Sequence, residues 1–535
     1  MSSSLLNWVN KRSKSNDECN NSSNKKLCVE SEHILSNKES NKNMELQETS
    51  DLPECWNKDF PGEPYTFNLD LIELPNTSAE TITKSLLDCL GGYGFDQIFL
   101  NECFIAFACD EASVMIGKDS GVATRLKIQF PKLIIWHCSN HRLELAVGDV
   151  VAEVCGINHF KIFMDKLYTL FHQSPKNQNE LKKSASSLEV QILKIGRILS
   201  VRWVASSKRT VNAVINNFSA LCEHFNLAST DSTRDSKERS KYCGLFKMIT
   251  SIEFVSNLNT MSDALDELGD LSEYLQKRSI TLVDADKSIR TTIRVLDSMA
   301  TDPGPKLTDA LKEIKNKMSY KNVTLHSGNV PKINSAQFYK SLANNLKSRM
   351  MTTSSSNVSR NEKTRQDNEK TFKNLLDNIE KLNPKNWPLS NDGQIENIQF
   401  GDCNIRNLCQ QFQIDEKSTI QSFRIYKMDL GKKEIPEDLK PLYKSIATIP
   451  VSTSECERNF SSMNEIMSPL RTSLNIKTVA ALLFINCVGP PLTKFEPEKY
   501  VRSWLLNGRH SADDNASRKR KQKCDKTYES LWKLL

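Results

Sequence analysis

The hydrophobic positions divide the chain into stretches of different period. Up to residue 60, Ser, Asn, Lys and Glu dominate. The few apolar residues, such as the Leu5-Leu6-Asn7-Trp8-Val9 cluster, bury too little surface to offset the entropy of ordering, so residues 1–60 are expected to be disordered. Residues 65–74, YTFNLDLIEL, mix aromatic and β-branched side chains and predict a strand. Leu86, Leu87 and Leu90 fall at helical spacing, with Gly91-Gly92 as the stop. Two uninterrupted apolar runs, CFIAFACD (103–110) and KLIIWHC (132–138), predict strands covered on both faces. SNHRLELAVGDVV (139–151) predicts a helix after the second run. The order strand, helix, strand, helix, strand, helix from 65 to 150 is that of an α/β layer.

Beyond residue 208 the period becomes helical. RTVNAVINNFSALCEHF (209–225) has apolar residues at helical spacing, and from Leu245 to Leu275 apolar residues recur in steps of three and four. Residues 288–300 and 335–350 continue the pattern. The polar stretch 352–372 predicts an exposed connection. The runs LYKSIATIPV and TVAALLFINCV make 441–488 a compact ending, and SRKRKQK (517–523) gives a basic tail. No repeat of solenoid period is present.

Composition narrows the class. A chain of 535 residues, 38% hydrophobic and 26% charged, is long enough for two or three domains. No apolar run reaches the roughly 18 residues of a membrane span, and the apolar stretch at the start is too short for a secretory signal. The expectation is a cytosolic or nuclear protein with no membrane partner. The 15 cysteines form no paired CxxC spacing, which argues against a zinc finger and for small buried hydrophobes. A net charge of +7 permits a nucleic-acid partner without requiring one.

Several residues stand where chemistry is plausible. Asp110 ends a buried run, where α/β sheets place their sites, and phosphodiester chemistry needs clustered carboxylates to hold two Mg²⁺ ions about 4 Å apart; a carboxylate there also serves as an ordinary helix cap. Cys138 and His141 form Cys-x-x-His, half of a zinc site or a core Cys beside a backbone-bonded His, with Arg142 and Glu144 flanking on the helix. Arg202-Trp203 with Lys208 and Arg209 offers either a base-stacking face with phosphate-binding charge or an amphipathic core Trp. Ser454 and Glu457 fit a capping box, and only distant partners would make Glu457 catalytic. Arg518, Lys519, Arg520, Lys521 and Lys523 read as a nuclear-localisation signal, a nucleic-acid contact or a solvated tail.

Taken in order, CDEASVMIGKDSGVATRLK, WHCSNHRLELAVGD, SVRWVASS and IPVSTSECERNFSSMNEIMSPLRTSLNIKTVAALLFIN resemble the hAT transposase superfamily, across roughly residues 62–225 and 440–490. The likeness is greatest to domesticated vertebrate-type members, including one described as an E3 SUMO-protein ligase. The resemblance implies an α/β plus α fold: an RNase H-like domain interrupted by a large all-α insertion, with a helical C-terminal dimerisation region. The organisation expected is a disordered segment 1–60, a first RNase H-like part 61–208, an all-α insertion 209–439, the end of the RNase H-like domain with the dimerisation region 440–492, and a basic tail 493–535. An Asp-Asp-Glu metal triad is also implied, with Asp110 matching the second Asp and Glu457 the Glu. Cys138 and His141 match the family's Cys-x-x-His, and Trp203 its Trp near the DNA end. Val479, Leu482, Leu483, Phe484 and Ile485 would supply the dimer interface, some of them serving the core as well.

Departures from the pattern shape the expected function. No apolar strand carrying an Asp precedes YTFNLDLIEL; Asp59 is poorly placed, and Asp70 lies in the strand that should follow the missing one. Glu111 replaces the small residue usual after the second Asp. With two carboxylates of three, the Mg²⁺ of the ancestral family should bind poorly, and no cofactor is expected. The expected protein is a nuclear, domesticated or decayed hAT body that forms a homodimer or higher assembly, with DNA and SUMO as further candidate partners. An active or truncated transposase is the rival reading, and a SUMO ligase the third. SUMO would be gripped by strand addition. Glu32-His33-Ile34-Leu35 is too weak a segment for that, and LDLIELP (69–75), which has the right composition, is expected to be buried in the sheet.

Overall fold

In a computed structural model the described residues are 66–506, apart from 67, 200–201, 352–371 and the positions 392, 433, 469–470, 472 and 490–491. The expected disordered segment 1–60, the residue Asp59, nearly all of the polar connection 352–372 and the basic tail from residue 507 on, with Arg518, Lys519, Arg520, Lys521 and Lys523, lie outside them. The chain forms two compact units, one from Leu74–Glu455 and the other from residues up to Glu73 together with those from Cys456 onward.

The larger unit begins with α1 (Ala79–Gly92), α2 (Gln97–Cys103), β1 (Ala106–Cys109), α3 (Ser113–Ile116), α4 (Val122–Gln129), β2 (Ile134–His137) and α5 (Ser139–Glu153). Ser78 caps α1 by accepting the Thr81 N–H at 3.2 Å. Gly91 and Gly92, expected as its stop, are helical; the turn comes at Gly94, whose φ of +89° suits a residue without Cβ. β1 and β2 run parallel, with Ala106 opposite Ile134 and Cys109 opposite His137.

Side-chain alternation along these strands separates two cores. Phe107 and Ile135 pack with Leu100, Val122, Leu126, Phe130 and Leu133 beneath α1, α2 and α4. Ala106, Ala108, Ile134 and Trp136 join the main helical core on the opposite face. Both strands are therefore covered twice, as their unbroken apolar runs predict. The strand expected at 65–74 does not form: residues 68–74 carry no regular structure and pair with no strand. A local β-like composition stabilises nothing without a neighbour to bond, and here Leu71 packs instead with Phe460, Met463 and Leu483 of its own unit. Among the described residues the sheet of this layer has two parallel strands, fewer than the RNase H-like layer expected from the resemblance would have.

The remainder is mostly helical: α6 (Ile157–His172), α7 (Pro175–Ser187), α8 (Trp203–Asn216), α9 (Phe218–Thr230), α10 (Ser236–Ile249), α11 (Ile252–Tyr274), α12 (Leu282–Met299), α13 (Pro305–Lys317), the hairpin β3 (Ser319–Tyr320) and β4 (Val323–Thr324), α14 (Ser335–Met350), α15 (Asp402–Phe412), α16 (Glu416–Met428) and α17 (Lys440–Ala447). Two of the periodic stripes are each broken into two helices. The 209–225 stripe splits at Asn217, whose buried amide brackets Leu193, accepting its N–H at 3.0 Å and donating to its carbonyl at 2.7 Å. The 245–275 stripe splits at Thr250-Ser251, where His326 bonds the Thr250 carbonyl and the Ile252 N–H.

Helix α11 runs through the centre, buried on every side from Phe254 to Leu265. Its polar residues are matched one by one. Asn257 donates to the Pro331 carbonyl at 2.9 Å and accepts the Ile333 N–H at 2.8 Å. Asp263 accepts the Lys306 and Leu307 N–H groups at 3.1 and 2.9 Å and so caps α13 from outside. A Cβ on Gly304 would meet that carboxylate at 2.4 Å, which makes the position glycine.

His224 is buried and His137 half-buried: desolvation lowers each pKa to about 4, aided by Arg234 beside His224 and Arg142 beside His137, and the Glu180 carboxylate 3.8 Å from His224 does not offset the drop. Both are neutral when folded. The unfolded chain takes up protons below about 6.5 and the folded chain resists until about 4. Stability is therefore full above pH 6.5 and falls as the pH drops toward 4, by on the order of 2–3 kcal/mol for each histidine. Urea midpoints measured at pH 7.5, 6, 5 and 4 should fall in that window, and the fall should be smaller in His224→Gln.

Candidate functional site

Beyond Cys109 and His137 the two strands end side by side, and Asp110, Cys138 and His141 follow directly from these ends. Asp110 is half-buried, and its carboxylate accepts the Ala112 N–H at 3.2 Å. It caps no helix, because Ala112 occupies that position before α3 and makes no side-chain bond.

Glu111 is the best-anchored group at this end. Its carboxylate lies 3.8 Å from Arg142 Nε and 3.6 Å from an Arg349 amino nitrogen, with all three side chains largely buried. Arg349, in the last turn of α14, also makes a two-point bond to Asp149 of α5, at 2.5 and 3.2 Å. Burial pulls the Arg142 pKa down to about 10; Glu111 acts against that drop and Arg349 adds to it. The charge row Glu111, Arg142, Arg349, Asp149 joins the strand end to α5 and α14.

The thiols nearby are not poised for attack. Burial pushes Cys109 up to about 12, with Asp110 adding to the rise. Cys138 is buried, and its Sγ accepts the Thr453 N–H at 3.3 Å. His141 lies half-buried in the first turn of α5. The Trp136 indole and the Ser139 N–H both donate to the Val451 carbonyl, at 2.8 and 3.1 Å. The Trp-His-Cys-Ser stretch is thus gripped by the chain as it returns at 451–453.

Glu144 of α5 accepts the N–H of Trp203 at 2.8 Å and that of Val204 at 3.3 Å, capping α8 from a neighbouring helix. Trp203 itself is 6% exposed within the main core. That places its ring among core side chains, with no open face on which a base could stack. Lys208 is drawn to Asp270 at 2.7 Å and Asp266 at 4.0 Å. Arg202 and Arg209 are exposed, and Arg209 also donates to the Ala205 carbonyl at 3.3 Å.

Glu457 belongs to the smaller unit, half-buried on α18 (Ser454–Ile466). Ser454, expected to cap this helix, is its first residue, and its hydroxyl is 2.8 Å from that of Ser452. In the same unit, α19 (Ile476–Val488) contributes Val479 and Leu483 to a core with Met463. Leu482 and Phe484 are half-buried there, and Ile485 is 55% exposed.

The residues around Asp110 do not fit the metal pair implied by the resemblance. Among the described residues no three His, Cys, Asp or Glu side chains group to hold a metal ion. The second carboxylate beside Asp110 is committed to two guanidinium groups, whose charge opposes a divalent cation. Arg349 and Asp149 had no signal in the sequence, since their roles depend on helices about 200 residues apart. Asp70, the other early acid, accepts the N–H of the adjacent Leu71 at 2.7 Å.

Residues 430–487 match the model of the hAT family C-terminal dimerisation region, a stretch that spans α17, α18 and nearly all of α19. The match supports a self-associating protein of the hAT transposase-like kind. No helix among the described residues is long and apolar enough to cross a membrane.

Removing the Glu111 carboxylate leaves Arg142 facing Arg349 in a buried site. Glu111→Ala should therefore lower unfolding stability by about 3 kcal/mol. A double-mutant cycle with Arg349→Met should show coupling between the two positions, and additive effects would mean that they do not interact.

Proposed function

We propose that this protein is a nuclear, transposase-derived body that acts through self-association and no longer carries out strand transfer. The observation that carries the reading is α19. Its sequence, IKTVAALLFINCV, is apolar almost all round, as a helix is when both faces are covered. One face is spent on its own unit through Val479 and Leu483, while Leu482 and Ile485 lie on another. An apolar helix face left to water favours a second copy. The family match over the same residues agrees with this. Loss of strand transfer follows from the charge row at Glu111, which commits the carboxylate next to Asp110 to arginine. Exposed Arg202 and Arg209 retain the capacity for phosphate contact without the stacking Trp. The nuclear reading rests on the tail Arg518–Lys523 alone.

Sedimentation of the full chain at micromolar concentration should show a dimer or larger species that Ile485→Glu dissociates. The same preparation should leave double-stranded DNA intact with Mg²⁺ or Mn²⁺. Cleavage that disappears in Asp110→Ala would restore the active-transposase reading.

A second reading is favoured by one reversal. LDLIELP was expected inside a sheet, yet Ile72 and Leu74 are 42% and 37% exposed, and the segment pairs with no strand. Branched apolar residues between Asp70 and Glu73 have the chemistry of a segment that adds to the edge of SUMO. A SUMO pull-down with the full chain should succeed and should fail for Ile72→Ala/Leu74→Ala; equal capture by both would remove this reading.

A further inference from the structure

We propose that residues 191–199 form a docking site for an extended, acidic and apolar peptide of a partner protein. The inference does not depend on self-association.

The segment lies between α7 and α8 and pairs with no strand among the described residues. One face of α8 holds it, together with the residue that follows that helix. Asn217 brackets Leu193, the Thr210 hydroxyl lies 3.0 Å from the Gly196 carbonyl, and Ser206 accepts the Leu199 N–H at 2.9 Å. These backbone anchors recur at every third residue. The chain from Leu193 to Leu199 thus keeps pace with the helix from Asn217 back to Ser206, about 16 Å at 1.5 Å per helical residue, or roughly 2.7 Å per step of the segment. That is an extended rise, close to the ~3.1 Å of the threefold polyproline II helix.

The side chains follow the same period. Ile192, Ile195 and Ile198 turn toward the main core. Gln191, Lys194 and Arg197 are all exposed. The third row is Leu193, Gly196 and Leu199, whose two leucines are 45% and 44% exposed. A basic row and an apolar row therefore run side by side, with like positions roughly 9 Å apart.

Charge says what kind of ligand fits. From Lys182 to Cys222 the chain carries seven Lys and Arg residues and a single acid, Glu189. Lys208 is neutralised by Asp270, but Lys194 and Arg197 form no ion pair among the described residues. Cations left without a counter-charge favour an anionic ligand. The apolar row decides which anion. A groove for single-stranded nucleic acid offers aromatic side chains on which bases stack, and the one aromatic residue from 182 to 217, Trp203, is buried. Leucines beside the cations suit a peptide whose apolar side chains cover Leu193 and Leu199 while its carboxylates reach Lys194 and Arg197. An extended peptide with apolar and acidic residues each repeating every third position matches the spacing of both rows.

The test uses the full chain and a fluorescent peptide of repeated Leu-Glu-Asp triplets, with Leu-Lys-Lys triplets as control, read by anisotropy. Wild type should bind the acidic peptide and not the basic one. Lys194→Glu/Arg197→Glu and Leu193→Ser/Leu199→Ser should each weaken binding by about tenfold. A photoreactive form of the acidic peptide should label wild type within 188–202, a reading that needs no variant to fold. Labelling elsewhere, or no binding to wild type, would overturn the proposal. So would a leucine variant that binds as well as wild type, since charge alone would then hold the peptide. A single- or double-stranded oligonucleotide that displaces the peptide, binds more tightly and is indifferent to the leucine variant would assign the row to nucleic acid instead.

Discussion

The larger unit depends on a single backbone carbonyl. Val451 accepts both the Trp136 indole and the Ser139 N–H, 315 and 312 residues earlier in the chain. One step further on, Thr453 donates to Cys138. Everything between the end of β2 and the start of α18 is therefore a closed excursion from one short seam. Closing a loop of that length costs only logarithmically more than a short one. The seam needs few bonds provided that the excursion stabilises itself, and α11 does so, buried on every side with each of its central polar groups matched. The seam supplies register and the helical body supplies the free energy.

The charge row beside the seam shows how a site can be converted by one residue. A small residue after Asp110 would leave the strand end open. Glu111 instead brings Arg142 and Arg349 together, and Arg349 recruits Asp149. The row carries two positive and two negative groups and is close to neutral. It makes the end of β1 a structural clasp to α5 and α14. The desolvation penalty of two buried guanidinium groups is the reason that the pairing must be complete. It is also why the clasp and a metal site exclude each other on the same carboxylates.

What the sequence revealed and what it concealed divide along the range of the forces involved. The helical stripes and the two doubly covered runs at 103–110 and 132–138 are local patterns; the runs form β1 and β2, and the stripes are helical but interrupted. The breaks at Asn217 and Thr250-Ser251 were not legible, because each is imposed by a backbone segment far away in the chain, Leu193 in one case and His326 in the other. The expected strand at 65–74 fails for the complementary reason: its composition suits a pleated surface, but among the described residues no strand pairs with it. Trp203 beside Arg202 carried the same ambiguity, and its side chain, 6% exposed, lies within the main core. Of the candidate site, Asp110, Cys138 and His141 could be placed from the sequence. The partners that determine what Glu111 does could not.

The two compact units make different use of apolar surface. In the larger one, even the polar residues of α11 are drawn inside and satisfied, so little of that helix is left over for a partner. Among the described residues of the smaller one, the core is a few side chains around Met463, Val479 and Leu483, while Ile476, Ile485, Phe495, Val501 and Leu506 remain at the surface. Apolar residues left at the surface gain stability when a second surface excludes their water. Folding and association are then drawn from one pool of apolar side chains in this part of the chain. On that argument, its stability should be coupled to protein concentration, while that of the larger unit should not.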